Sequence, residues 1–408
     1  MGPVLIYDKS FLESLNPNEA IWLDQFFITN LTPLFYIETL ADLGKQGRNS
    51  RTPEKLVKDL ASKTPRQYIF PNVYAGDLVL AELMGNNIQM VQEPVINNLT
   101  IGETASGELI SKIEETNEEK ALNRWQEEDF SSLEKDFAKK WRDSLPNIIS
   151  DRNLDLIKNT IPNDLKFKSF EEIYQFTKEF LQNEDEHILY IAQELLHIPQ
   201  NIVDIAREHW QSKNSQSIQD LFPYTSFVLT VEIIFYIALI SELLSREKIS
   251  NRIDVLYLHY LPFTNIFVSS DNLHKKIATL LLQDKQLFVT GQDLKVALQE
   301  LNEYFQNLPG EKKSKGVINI ASLPRDLDNL VCKIWDNYFP NWREKKQNLE
   351  LTKEGEKELI TKIKRLTKEK LASTTGSFAD SNEIIRTIRI KRKQGDWNML
   401  PEDLENKD

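Results

Sequence analysis

Ile266–Lys276 reads IFVSSDNLHKK. Ile266, Phe267 and Val268 have the aromatic and β-branched character of a short buried strand. Two serines follow, then Asp271, then His274 beside Lys275 and Lys276. The N-terminus repeats the pattern, with VLIY (Val4–Tyr7) running straight into Asp8. In an open parallel sheet, ligands bind outside the carboxyl ends of the strands, so a carboxylate just past an apolar strand faces any such site. The plainer account of either aspartate is a helix N-cap.

Working outward, NPNEAIWLDQFF predicts a helix with Asn16 or Asn18 as N-cap and Ile21, Trp22 and Phe26 at helical spacing. FITNLTPLFYIETLADLGK leads an apolar run into a second helix that Gly44 can end. Late in the chain, Ile253, Leu256, Tyr257, Tyr260 and Leu261 form one apolar helix face that Pro262 breaks. TNIFVSSD is then a strand, KKIATLLL a helix and KQLFVTG (Lys285–Gly291) a further strand. QDLKVALQELNEYFQNLPG is an amphipathic helix stopping at Pro309–Gly310. Alternating strands and helices predict an α/β fold with a parallel sheet. Between these ends, residues 46–223 carry mostly amphipathic helical patterns broken at Pro146, Pro162 and Pro199, a mostly α-helical unit.

Composition sets the limits. The chain has 408 residues, 40% of them hydrophobic and 27% charged, with a net charge of −12. That length predicts two or three domains, and that charge argues against nucleic-acid binding by the whole surface. The distribution is uneven: Ile113–Phe137 is acidic, whereas Arg343–Lys393 holds 15 Lys and Arg against 8 Asp and Glu. The longest apolar stretch, Phe227–Leu244, contains Glu232 and Glu242 and predicts a buried core helix, so no membrane association is expected. MGPVLIYDKS lacks the features of a signal peptide and of a myristoylation site. The single cysteine, Cys332, excludes intrachain disulfides and agrees with a cytoplasmic protein, in which it is expected to be a small core residue.

Two more carboxylates join the strand-end pair. Glu38 sits in PLFYIETLADL with Asp42 one turn later on the same face, for which an exposed stripe is the plain account. With Ser250 or Asn251 as N-cap, Asp254 falls in a first helical turn, where its charge offsets the helix dipole. Acidic groups gathered at one point repel one another unless cations neutralise them, and oxygen-only ligand sets suit hard ions such as Mg²⁺ or Mn²⁺. Taken in order, VLIYD, the helical Glu38, Asp254 on its helix and FVSSDNLHKK resemble the PIN-like nuclease domain. The resemblance implies a PIN-like parallel sheet sandwiched by helices. It also implies an acidic cluster of Asp8, Glu38, Asp254 and Asp271 that binds Mg²⁺ or Mn²⁺ and cleaves phosphodiester bonds, of RNA more than of DNA.

On that reading the domain is discontinuous, residues 1–45 and 224–342, with 46–223 as a helical insertion and 343–408 as a charged, basic C-terminal arm. The 216 residues between Glu38 and Asp254 are far more than a compact PIN domain uses. Asp42 would be an accessory ligand, Ser269 or Ser270 would bond a ligand or phosphate, and His274 and Lys275 could touch phosphate, although a surface position is the plainer account of His274. In TIRIKRKQGDW, Arg389, Lys391, Arg392 and Lys393 are the candidate nucleic-acid contacts, with Trp397 able to stack a base. Docking of this arm onto the acidic helices is the competing account. GKQGRNSR (Gly44–Arg51) lacks the phosphate-loop pattern, His187, His197 and His209 form no HExxH, and no GxSxG occurs. The rival function is a non-catalytic PIN-like scaffold whose helical insertion offers a surface for self-association or a protein partner.

Overall fold

The computed structural model describes residues 2–45, 51–103, 109–162, 166–183, 187–212, 217–344, 383–386 and 391–401. At its centre is a five-stranded sheet of β1 (Val4–Tyr7), β2 (Ile28–Leu31), β3 (Ile69–Pro71), and two later strands. A separate antiparallel pair, β4 (Leu99–Glu103) and β5 (Leu109–Ile113), precedes those later strands, β6 (Ile266–Ser269) and β7 (Leu287–Thr290). The central order is β3-β2-β1-β6-β7 and every pairing in it is parallel. The chain therefore winds outward from β1 to one edge and then, through β6, to the other. Its order reverses between β1 and β6, the point at which open parallel sheets bind ligands at the strands' carboxyl ends.

The side chains alternate across this sheet as a period of two demands. Leu5, Tyr7, Ile266 and Val268 join a core with Trp22, Phe26, Leu298 and Phe305, on the helices Pro17–Phe26 and Gly291–Gln306. Ile6 and Phe267 point the other way, into a core with Phe170, Ile173, Phe235 and Tyr257. Both faces are covered, which explains why β1 and β6 read as unbroken apolar runs. The Phe227–Leu244 stretch forms most of the Pro223–Ile240 helix, which is long and apolar enough to cross a membrane but is 72% buried inside the fold. Cys332 is buried, as expected.

Several local expectations are sharpened or overturned. Asn16, not Asn18, caps the Pro17–Phe26 helix, in a capping box with Glu19. The helix read through Gly44 is Pro33–Ala41, followed by a 3₁₀ turn at Asp42–Gly44. Ile69–Pro71, inside the stretch read as helical insertion, is the edge strand of the central sheet. The basic arm also carries ordered structure. β8 (Glu383–Arg386) pairs in parallel with β5, and Lys393–Gln394 pairs antiparallel with Trp397–Asn398.

Trp397 is only 5% exposed, so it is a core residue and not a base-stacking platform. Its ring meets Trp22 edge-on at 5.2 Å, and Trp22 stacks on Phe305 at 4.1 Å. The indole nitrogens of Trp22 and Trp397 both donate to Asn302 Oδ1, at 3.1 and 2.9 Å. Replacing Trp397 with Ala should therefore cost about 3–5 kcal/mol in equilibrium denaturation, the range for emptying a large aromatic site. A solvated arm would show no measurable change.

Candidate functional site

Asp8 and Ser269 are neighbours at the ends of β1 and β6, because the Asp8 amide donates to Val268 O at 3.2 Å. Asp8 caps the Lys9–Ser14 helix, its Oδ1 accepting from the Phe11 amide and the Ser10 hydroxyl, each at 2.8 Å. Its Oδ2 accepts from the Ser269 hydroxyl and lies 3.5 Å from His274 Nδ1. Asp271 caps the Asn272–Leu281 helix, accepting from the Leu273 amide at 2.6 Å, and sits 3.6 Å from the Lys248 ammonium. Both aspartates are thus helix N-caps, as the plainer account has it, at the carboxyl ends of β1 and β6.

His274 corrects the surface expectation, since it has no exposed area at all. Its Nε2 lies 2.6 Å from the backbone carbonyl of Asp254, an acceptor, so this nitrogen carries a proton. Its Nδ1 lies 2.7 Å from Ser269 Oγ, which also accepts from the Asp271 amide at 2.9 Å. The hydroxyl has one proton, and Asp8 takes it. Nδ1 must then donate as well, so the arrangement that satisfies every atom has a doubly protonated imidazolium. Burial opposes that charge, but the hydrogen bond and charge of Asp8, with those of Asp254, outweigh it and raise the His274 pKa. Burial likewise works against the Asp8 carboxylate, yet His274, Ser269 and the Phe11 amide hold its pKa below the ordinary value.

The other two carboxylates behave differently. Glu38, on the Pro33–Ala41 helix, accepts a hydrogen bond from the Tyr257 hydroxyl. Burial pushes its pKa up to about 7, aided by the charges of Asp254 and Asp8 and resisted by Tyr257 and Lys9. Asp254 is not in a first turn: the Ser250–Leu258 helix begins after Ile249, which offers no side-chain cap, so the helix-dipole account fails. Its carboxylate has no hydrogen-bond partner among the described residues, and burial pushes its pKa up to about 6, with Asp271 and Asp8 adding to the rise and His274 and Lys248 opposing it. The four groups therefore come from four elements to one end of the sheet and feel one another's charge.

The accessory residues divide. Asp42 is buried and paired on both oxygens, to Lys9 and Lys45 at 2.6 Å each, so it is neither an exposed stripe nor an available ligand. Ser269 is buried in the Asp8–His274 network, whereas Ser270 and Lys275 are exposed at the rim. Arg389 lies outside the described residues, while Lys391 reaches Glu127 at 3.9 Å, on the acidic segment. Two participants escaped sequence reading. Tyr257 was assigned to the apolar face, though its spacing of three from Asp254 put both on one side of the helix. Lys9, next to Asp8, is buried between Asp42 and Glu13, at 2.6 and 2.7 Å.

The donor set suits a hard divalent cation, because it is made of oxygens whose charges are mutually unfavourable. As the side chains stand, no group of three or more His, Cys, Asp or Glu among the described residues is close enough to hold an ion. Comparisons with protein-family models, curated proteins and solved structures return no match to this chain.

Glu38, Asp254 and His274 all have raised pKa values, so each binds more protons folded than unfolded between its ordinary and its folded pKa. Stability held by the two protonated carboxyls and the imidazolium is present at low pH and is lost as pH rises through those folded values. In chelator, the melting temperature should fall from about pH 5 to about pH 8, and Glu38→Gln should raise it by a few degrees at the upper end while flattening the slope. A slope unaffected by Glu38→Gln would remove Glu38 from this account.

Proposed function

We propose that the chain is a PIN-like, metal-dependent nuclease that hydrolyses phosphodiester bonds through Asp8, Glu38, Asp254 and Asp271. What supports this reading is the electrostatic coupling among them, Asp8 and Asp254 acting on Glu38 and Asp8 and Asp271 acting on Asp254, in a set that spans 263 positions of sequence (271 − 8). Burial, with a smaller contribution from neighbouring charges, raises the pKa of two of the four toward neutrality, Glu38 to about 7 and Asp254 to about 6. Such groups are poised to lose a proton when a cation arrives.

These residues would hold Mg²⁺ or Mn²⁺, which when bound supplies Lewis-acid activation of a phosphoryl group and of water. Asp254, with no competing hydrogen bond, is the freest ligand, and Glu38 becomes one by parting from Tyr257. Asp8 keeps its geometry through Ser269, His274 and the Phe11 amide, so it orients the cluster. The exposed Lys275 and Ser270 are placed to meet substrate phosphate at the rim. The preference for RNA over DNA rests on the resemblance of the strand-end motifs alone.

A second reading, an inactive PIN-like scaffold, is favoured by one observation: no three of these ligands lie within reach of one ion. Cleavage of mixed single-stranded RNA and DNA with Mg²⁺ or Mn²⁺, run beside a metal titration of melting temperature, separates the two. The nuclease should be stabilised by the ion, and Asp254→Asn should abolish that stabilisation and lower cleavage by about 100-fold or more, the scale of losing a key electrostatic group. Circular dichroism should remain unchanged. Full cleavage by both Asp8→Asn and Asp254→Asn would overturn the nuclease, and neither cleavage nor a thermal response to metal would favour the scaffold.

A further inference from the structure

The helices that carry Glu38 and Asp254, Pro33–Ala41 and Ser250–Leu258, also line a cavity of about 380 Å³. Its walls are mostly apolar, including Ile37, Val79, Leu196, Val228 and Leu256, with Trp141 also lining it. That size and lining are those of a small-molecule site, and such sites use a few placed polar groups to orient what they hold.

Of the polar side chains that line this space, Tyr74, Asp77 and His197 are exposed, and the buried Tyr260 hydroxyl accepts from the Ala75 amide; the inner charged group is Glu232, Arg252 and His259. Glu232 is 1% exposed and takes both its hydrogen bonds from a single nitrogen, Arg252 Nη1, at 2.7 and 2.8 Å. An arginine has five N–H donors. The Nη2 and Nε donors of Arg252 have no partner among the described residues, although the side chain is only 13% exposed. His259 is 6% exposed, and its Nε2 lies 3.0 Å from Glu232 Oε1, an electrostatic contact off the axis of a well-aligned hydrogen bond, so this nitrogen has no aligned hydrogen-bond partner among the described residues. A buried polar atom such as His259 Nε2 costs stability unless something bonds it well, and the half-buried Arg252 donors are open to a ligand.

The charges select among ligands. Burial works against ionisation of Glu232, yet the Arg252 and His259 contacts win and hold its pKa down at about 2. The carboxylate therefore already cancels the guanidinium. A second anion here would bury an uncompensated charge, whereas a neutral acceptor would satisfy the spare guanidinium edge at no such cost. An amide-like end offers that acceptor together with an N–H for the groups around His259.

We propose that this cavity binds an uncharged small molecule with an apolar body and an amide-like polar end, seated on the spare donors of Arg252 and on His259. The site is independent of the nuclease reading, since it requires neither metal nor cleavage.

The test uses the full chain and matched probes: phenylacetamide against phenylacetate, and phenylpropanamide against phenylpropanoate, followed by ligand-observed NMR. The amides should bind saturably and at least about tenfold tighter than their carboxylates. Leu196→Trp, which fills a half-buried part of the wall, should abolish binding. His259→Phe, which keeps the ring and removes the nitrogens, should weaken the amides and leave the carboxylates little changed. An amide preference lost in either variant upholds the site. Carboxylates binding as well as amides, binding untouched by both variants, or no binding of any probe at millimolar concentration would overturn it.

Discussion

His274 sits at the point where the sheet reverses, with no exposed surface, and its two nitrogens reach three elements. Through Ser269 it touches the end of β6, through Asp8 the end of β1, and through the Asp254 carbonyl the Ser250–Leu258 helix. A charged imidazole so placed is an internal counter-ion. It cancels one of the negative charges that the fold brings together, and Lys9 does the same for Asp42 a short distance away. Glu38 and Asp254 stay raised, chiefly by burial and in smaller part by the repulsion left over. A carboxylate cluster of this kind does not require a divalent ion in order to fold, because the protein supplies part of the compensation itself. An added cation would therefore act on the two carboxylates that remain uncompensated.

Much of this was legible because the strands announce themselves. VLIY and IFV are apolar without interruption, which is the signature of strands covered on both faces, and each is followed by a carboxylate. Position after a strand offered a cap or a site, and the structure shows the cap for both Asp8 and Asp271. What stayed hidden was set by tertiary contact. Ile69–Pro71 is too short to show a period, and only its pairing with β2 makes it a strand. His274 looked exposed beside two lysines, yet the buried positions of its helix, Leu273, His274, Ile277, Ala278 and Leu281, form the regular face on which it belongs. Trp397 followed a basic run, and nothing in that run foretold a partner at Trp22.

Residues 46–223 read as a helical insertion, yet their packing is part of the site's foundation. One face of β1 and β6 is closed by the core that contains Phe170, Ile173 and the Pro223–Ile240 helix. That helix starts after Phe222, which provides no side-chain cap, so its first amides need another acceptor. Glu82, buried on the Ala75–Leu83 helix, supplies it: its two oxygens accept from Tyr224 and Thr225 at 2.9 and 2.6 Å. A carboxylate at a helix N-terminus satisfies the orphan donors and the dipole together.

From this capped helix the chain of support runs on to the carboxylates. Glu232 on Pro223–Ile240 grips Arg252 on Ser250–Leu258, and Arg252 lies 5.3 Å from the centre of the Phe235 ring, so the pair sets how the second helix lies against the first. Asp254 stands two positions beyond Arg252, and Tyr257, the donor to Glu38, one turn beyond Asp254. The direction of both groups is therefore fixed from the helical side, while Asp8 and Asp271 are fixed from the sheet. Breaking a buried charge pair by removing one partner leaves the other charge uncompensated, which costs more than the pair contributes when whole. The fold thus couples the helical layer to the acidic cluster through Glu232 and Arg252, and the residues separating Glu38 from Asp254 are part of what brings them together.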